Sequence, residues 1–140
     1  LLARALSPKT RLVVELGSWL GLSTRFLADH APHAAIIAVD HWRGSPEHHR
    51  HPEWRASLPD LYEGFLAACW DDRDRIIPLR MDTLDGLRTV ADFGLTPDLV
   101  YFDADHGYEA VAAELELARR LFPGAAFVGE DIWWGESVPS

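Results

Sequence analysis

The sequence predicts a three-layer α/β/α fold built on a doubly wound, mostly parallel sheet. Five short apolar runs alternate with segments of helical periodicity, which is the order of elements in α/β proteins. Several runs are continuously apolar, as strands covered on both faces are. Most runs end at a glycine or an acidic residue. The 140 residues suffice for one domain of this class, so we expect residues 1–140 to form a single domain.

The first strand is predicted at residues 11–16, where the run RLVVEL stops at Gly17. A helix follows at residues 22–30. The apolar run at residues 34–39 ends at Asp40 and predicts a second buried strand. A strand-helix-strand unit thus closes in about 30 residues, the usual size.

Residues 41–58 form a polar segment rich in His and Arg, which we interpret as a loop on the substrate side of the sheet. The apolar spacing at residues 58–70 predicts the next helix. A third strand is predicted at residues 75–79, at an edge of the sheet because Pro78 lacks a backbone donor. A weaker helix is predicted at residues 83–93.

The fourth strand is predicted at residues 98–102 and the fifth at residues 125–129. Between them lies the strongest helical pattern, residues 108–122, whose predicted core face is Tyr108, Val111, Ala112, Leu115, Ala118 and Phe122. Five strands alternating with helices predict a Rossmann-like sheet with right-handed crossovers.

Charge and cysteine content narrow the function classes. The chain has 22 acidic and 13 basic residues, a net charge of −9, which argues against nucleic acid and anionic membranes as partners. No apolar stretch is long enough for a signal peptide or a membrane span. The single cysteine, Cys69, cannot form an internal disulfide, which favours a reducing compartment, so we expect a cytoplasmic location.

Ligands of doubly wound sheets bind beyond the carboxyl ends of the strands. After the first strand, Gly17 and Gly21 would let the backbone turn tightly and approach a ligand. Their spacing matches neither the dinucleotide nor the phosphate-loop pattern, and a purely structural turn is the alternative. Asp40, 23 residues past Gly17, could accept hydrogen bonds from both hydroxyls of a ribose, or could cap a loop.

Five sequence blocks occur in register along the chain: ELGSWLGLST, AVDHW, PLRMDT, DLVYFDADHGY and PGAAFVGED. In this order they resemble the class I S-adenosylmethionine-dependent methyltransferases, in particular the small-molecule O-methyltransferases of the catechol and macrolide-sugar type. The resemblance covers residues 11–134. It implies residues that wrap the methionine part of the cofactor, namely Glu15, Gly17, Ser18, Trp19 and Gly21, with Ser23 near its carboxylate.

The resemblance also implies the adenosine contacts. Asp40 would hold the ribose hydroxyls, and His41 or Trp42 would lie against the adenine. Asp82 would accept a hydrogen bond from the adenine amine, with Thr83 beside it.

Asp103 would lie beside the sulfonium and the acceptor, and is both a cofactor-binding and a catalytic candidate. Carboxylates of Asp103, Glu130 and Asp131 would repel one another unless they share a proton or a cation, and hard oxygen ligands suit Mg²⁺. The resembling enzymes use such a set to orient the acceptor hydroxyl. His106 is the candidate base. The alternatives are that these acids are solvated, cap a helix or serve only the cofactor, and that His106 caps the next helix.

The predicted activity is methyl transfer to an oxygen, or less favourably a nitrogen, of a small-molecule acceptor, with possible assistance by Mg²⁺. A nicotinamide-dependent oxidoreductase and a catalytically silent nucleoside-binding module are the alternatives. The family's sheet usually has two more strands, which this chain lacks after residue 134. We therefore expect a C-terminally truncated domain or a homodimer that covers the fifth strand.

Overall fold

The computed structural model describes residues 2–44, 50, 52–55, 60–103 and 107–129. The predicted site residues His106, Glu130 and Asp131 and most of the loop at 45–59 lie outside these ranges. The strands are β1 (Leu12–Leu16), β2 (Ala35–Asp40), β3 (Ile76–Arg80), β4 (Leu99–Phe102) and β5 (Ala126–Gly129). The α-helices are α1 (Leu22–His30), α2 (Pro52–Arg55), α3 (Leu61–Ala68), α4 (Thr83–Asp92) and α5 (Tyr108–Leu121), and 3₁₀ turns lie at Leu2–Ala5 and Trp70–Asp72.

All five strands are parallel and lie in the order β3-β2-β1-β4-β5. The predicted fold class is confirmed, and β3, which contains Pro78, is an edge strand as predicted. Strand order reverses between β1 and β4, so the ligand crevice of this fold lies beyond the carboxyl ends of these two strands.

The register of the central strands brings their ends to one edge. Leu16 pairs with Val39 on one side and with Phe102 on the other. The Gly17 amide donates to the Val39 carbonyl at 2.8 Å, and the Asp103 amide donates to the Leu16 carbonyl at 2.7 Å. The residues that follow β1, β2 and β4 therefore meet at the switch point.

Helices cover both faces of the sheet. Because side chains alternate along a strand, Val13 of β1 packs under α1 and α3, and Val14 packs under α4 and α5. The buried anchors of the first layer include Leu27 and Phe65. Those of the second layer are Leu87, Val90, Ala118 and Phe122. No helix in the described residues is long and apolar enough to cross a bilayer.

The buried face of α5 is shorter than the sequence predicts. Tyr108 is 86% exposed and Ala112 is exposed, while Glu114 and Ala118 are the buried residues of the helix. The prediction was wrong for Tyr108 and Ala112, which lie in the first two turns of α5, ahead of the turns that reach the core of the described residues. Periodicity identifies a face of a helix but not which turns are covered.

The end of α1 is held by a residue from the start of β3. The Arg75 guanidinium donates to the carbonyls of Ala28, Ala31 and Ala34 at 2.9–3.0 Å. It also donates to Asp72 Oδ1 at 3.2 Å. The last carbonyls of a helix have no partner within the helix, and Arg75 supplies a donor to Ala28 in the last turn of α1. Its other two bonds join the turn after α1 to the start of β3.

Candidate functional site

The turn between β1 and α1 has an unusual backbone. The φ angles are 89° at Gly17, 49° at Trp19 and 91° at Gly21. Glycine adopts such angles without a steric cost, whereas a tryptophan does so only when its surroundings hold it there. The Gly21 amide donates to the Ser18 carbonyl at 2.9 Å and closes the turn before α1 begins.

Asp40, at the end of β2, joins this turn to the next one. Its Oδ2 accepts from the Trp19 amide at 2.9 Å, and its Oδ1 accepts from the Trp42 amide at 2.7 Å. The loop-capping alternative is therefore present in the structure. The side chain stays partly exposed, and each carboxylate oxygen has a second lone pair, so a ribose contact is compatible with these bonds and stays a prediction.

Trp42 lies in the core rather than beside the nucleoside. It is 2% exposed, and its ring packs against Tyr62 and Phe65 of α3 with centroid distances of 4.8 Å. Its indole Nε1 donates to the Trp19 carbonyl at 2.8 Å. The expectation that Trp42 lies against the adenine was wrong, because α3 buries the ring.

His41 remains the candidate for the adenine contact and is partly exposed. Its Nδ1 accepts a hydrogen bond from the Arg43 amide at 2.9 Å, so that nitrogen carries no proton in this arrangement. The ring lies beside Asp40, with 3.9 Å between His41 Nδ1 and Asp40 Oδ1.

Glu15 lies beneath the turn and is fully buried. Its two carboxylate oxygens accept from the hydroxyls of Ser23, at 2.5 Å, and of Thr24. Burial raises the pKa of Glu15, the hydroxyl hydrogen bonds oppose that rise, and the charge of Asp40 adds to it. These two hydrogen bonds connect Glu15 to the first turn of α1. A direct contact between Glu15 and the cofactor stays a prediction.

Asp82 and Thr83, which are predicted to lie at the adenine amine, follow β3, the strand next to β2. Asp82 precedes α4 with an exposed side chain, 3.8 Å from Nη2 of Arg43. The Thr83 hydroxyl donates to Glu114 Oε1 of α5 at 2.7 Å. Glu114 is 3% exposed and was missed as a site residue. Its position four residues before the core residue Ala118 was the available signal, since residues at that spacing share a helix face.

Asp103 follows β4 on the other side of the switch point and is partly exposed. Its amide is bonded to β1, which places it beside the start of the glycine turn. The described residues contain no group of three or more His, Cys, Asp or Glu that could hold a metal ion. Two of the three predicted metal ligands, Glu130 and Asp131, are outside the described residues.

The apolar pocket between α3 and β3, of about 170 Å³, contains none of the predicted site residues. One of its lining residues is Cys69, and burial raises the pKa of that thiol to about 11. The thiol is therefore protonated at neutral pH and is a poor nucleophile. Those of the predicted site residues that the structure describes lie instead at the carboxyl edge of the sheet, after β1, β2, β3 and β4.

Family models and solved structures show which known proteins this chain is similar to. Residues 14–132 match the family model described as a methyltransferase domain. No curated protein sequence gives a significant match.

Solved structures with the same fold include fibrillarin, a pre-rRNA processing protein of Methanococcus jannaschii, with a TM-score of 0.60 and 20% identity over 86% of this chain and 45% of that one. An O-methyltransferase from Bacillus cereus in complex with SAH has a TM-score of 0.56 and 22% identity over 86% and 49% of the two chains. Human methyltransferase-like protein 13, also with SAH, has a TM-score of 0.54 and 19% identity over 90% and 59%. The chain thus spans about half the length of these proteins.

Proposed function

Because the chain belongs to the methyltransferase-domain family and has the class I fold, we propose that it transfers a methyl group from S-adenosylmethionine to an oxygen atom of a small molecule. The observation that carries the proposal is the Asp40 carboxylate. It lies at the end of the strand next to the glycine turn, where a nucleoside would present its ribose hydroxyls. The family match favours this activity over nicotinamide-dependent oxidation.

The turn and α1 offer groups that fit the methionine part of the cofactor. Ser18 is buried in this turn, and its hydroxyl lies close enough to Glu15 to help lower the pKa of that carboxyl. The N-terminus of α1 has no side-chain cap, and free amides at a helix N-terminus bind carboxylates well.

In the proposed reaction, the acceptor oxygen attacks the methyl carbon in line with the C–S bond. The C–O bond forms as the C–S bond breaks, S-adenosylhomocysteine leaves, and the hydroxyl proton passes to a base. We assign His106 as that base and Asp103 as the residue beside the reacting centre. Most of the acceleration would come from holding the two reactants close together and aligned. A nitrogen acceptor would follow the same geometry.

Assistance by Mg²⁺ is the second part of the proposal. Asp103 is one described carboxylate near the acceptor side, and Glu130 and Asp131 complete the proposed set. Mg²⁺ prefers such hard oxygen ligands and would orient the acceptor oxygen when bound. Turnover with EDTA and with added Mg²⁺, in the wild-type chain and in Asp103→Asn, tests this part. Equal turnover in EDTA would remove the metal from the mechanism.

The proposed partners are a small-molecule acceptor and a second copy of the chain. Nucleic acid and membranes are not among them, given the net charge of −9. We propose a cytoplasmic location because Cys69 is a buried free thiol.

Calorimetric titration with S-adenosylmethionine, S-adenosylhomocysteine and NADH tests the cofactor class. We expect the first two to bind and NADH not to bind. Asp40→Asn should weaken S-adenosylhomocysteine binding by roughly 10- to 100-fold, since hydrogen bonds to a charged group are lost. Asp85→Asn, at an exposed position on α4, is the matched control. Binding of NADH alone would contradict the proposal. Cofactor binding without transfer to any acceptor in a broad panel would indicate a silent nucleoside-binding module.

A further inference from the structure

We infer that Trp42 is a positioning residue of the cofactor turn: its indole N–H and the Asp40 carboxylate together hold the Trp19 peptide in the conformation that the cofactor requires. This inference rests on the proposed function. Trp42 does not contact the proposed ligand site itself, because its ring lies in the core. It acts through the backbone of Trp19.

Trp19 is held at both of its backbone polar groups. Asp40 Oδ2 accepts from its amide at 2.9 Å, and Trp42 Nε1 donates to its carbonyl at 2.8 Å. The Trp42 amide donates to Asp40 Oδ1 at 2.7 Å, which links the two holding groups to each other. These three residues form a closed ring of hydrogen bonds, hereafter the Trp19 clamp.

The clamp is needed because the backbone it holds is unfavourable. Trp19 has φ 49° and Trp42 has φ 53°, and these are the two non-glycine residues with positive φ in the described part of the chain. For such residues the left-handed region is disfavoured by roughly five- to thirtyfold relative to ordinary conformations. Strained conformations of this kind persist where several contacts determine them, and they concentrate at ligand sites.

The Trp42 indole is in turn packed against α3. Tyr62 and Phe65 of α3 both contact the Trp42 ring at centroid distances of 4.8 Å. The guanidinium of Arg80, at the end of β3, lies over the Tyr62 ring, 4.7 Å from its centroid. The position of the Trp19 carbonyl therefore depends on how α3 packs against the sheet.

Loss of the indole N–H should let Trp19 relax toward negative φ. The cofactor would then have to restore the strained turn when it binds, so its apparent affinity would be the intrinsic affinity multiplied by the fraction of molecules that keep the competent turn. We expect S-adenosylhomocysteine to bind Trp42→Phe roughly tenfold more weakly. The Phe ring keeps most of the packing and removes the donor.

The test is a double-mutant cycle with Trp19→Asn, measured by calorimetry with S-adenosylhomocysteine. Asparagine adopts the left-handed region more readily than tryptophan, so the clamp matters less when it occupies position 19. The substitution at Trp42 should therefore cost roughly tenfold in the wild-type chain and less than about threefold in Trp19→Asn. Equal losses in both backgrounds would overturn the inference. Trp70→Phe, at an exposed tryptophan outside the clamp, should leave binding unchanged.

A second variant and a second measurement separate this inference from the proposed function. Replacing Trp42 by benzothienylalanine keeps the ring shape and removes only the N–H, which covers the case in which Trp42→Phe does not fold. Amide hydrogen exchange of the ligand-free chain should show a protected Trp19 amide that exchanges faster in either variant. An unchanged exchange rate would overturn the clamp. A wild-type chain that binds no S-adenosylhomocysteine but keeps the protected amide would overturn the proposed function and the cofactor role of Trp42, while the clamp would stand.

Discussion

The Thr83 hydroxyl at the first turn of α4 donates to the buried Glu114 carboxylate in the middle of α5, with 2.7 Å between Thr83 Oγ1 and Glu114 Oε1. Burying a carboxylate is costly unless it is hydrogen-bonded, and the N-terminus of α4 carries the positive end of a helix dipole that favours a nearby anion. The bond therefore joins α5, the helix that follows β4, to α4, which begins at Thr83.

Glu114→Ala should destabilise the chain by about 1–3 kcal/mol, because the Thr83 hydroxyl loses its acceptor in a partly buried position. Urea denaturation measures this. Glu116→Ala is the matched control, since Glu116 makes only an exposed pair with Arg120, a type of contact that contributes about 0–1 kcal/mol. Equal losses in the two variants would show that burial of Glu114 has no energetic role.

Glycine substitutions should separate backbone strain from steric clash. Among the described residues, an added Cβ at Gly124 has nothing within 4 Å, and one at Gly94 also meets nothing, although φ there is 74°. At Gly21 an added Cβ would lie 2.8 Å from Cys69 Sγ, with φ 91°. We expect Gly124→Ala to be neutral and Gly94→Ala to cost about 1–2 kcal/mol. Gly21→Ala should cost a further 1–3 kcal/mol or so, by overpacking. Thermal unfolding of the three variants tests this order of stability losses. An equal loss of stability at Gly94 and Gly21 would contradict it.

Arg75→Met should destabilise the chain by about 2 kcal/mol or more, because three carbonyls between the last turn of α1 and the start of β2 lose a charged donor. Arg75→Lys should recover only part of this, since an ammonium group cannot reproduce the planar fork. Arg88→Met, at an exposed arginine on α4, serves as the control in the same denaturation experiment. Full recovery by lysine would mean that charge alone, without the fork geometry, stabilises α1.

Glu15 should give stability a distinct pH dependence. Burial raises its pKa above 4.5 in the folded chain, so the folded state binds more protons than the unfolded state between 4.5 and that raised value. Stability contributed by this group is present at low pH and is lost as pH rises through the folded pKa. Glu15→Gln removes the titration while keeping an acceptor for a hydroxyl. The stability of Glu15→Gln relative to wild type should therefore rise with pH above 4.5, as measured by denaturation across pH, and a constant difference would contradict this assignment.

The fold could be predicted from local patterns, and the contacts around the site could not. Strand positions were predicted to within about a residue because each apolar run and its terminating glycine or acid are adjacent in sequence. The edge position of β3 was predicted from Pro78, a property of one residue. Both are local signals.

The missed features all depend on distant partners. The ring of Trp42 is buried by α3, which begins about twenty residues later. Arg75 bonds to carbonyls 41–47 residues away, and the Thr83 bond to Glu114 joins positions 31 apart. Sequence periodicity carries no information on which residues meet at these separations, so Trp42 was expected, as an alternative to His41, beside the adenine, and the buried contact of Glu114 was not predicted.

The pairing of β1 with β4 determines when the candidate site can form during synthesis. Asp98, which precedes β4, accepts from the Leu12 amide 86 residues earlier in the chain. Closing so long a loop is entropically costly and makes non-local parallel pairing slow. β1, α1 and β2 can associate as soon as they are made, but the switch point needs β4 beside β1. During synthesis, the glycine turn can therefore form well before β4 is present to complete the crevice beside it.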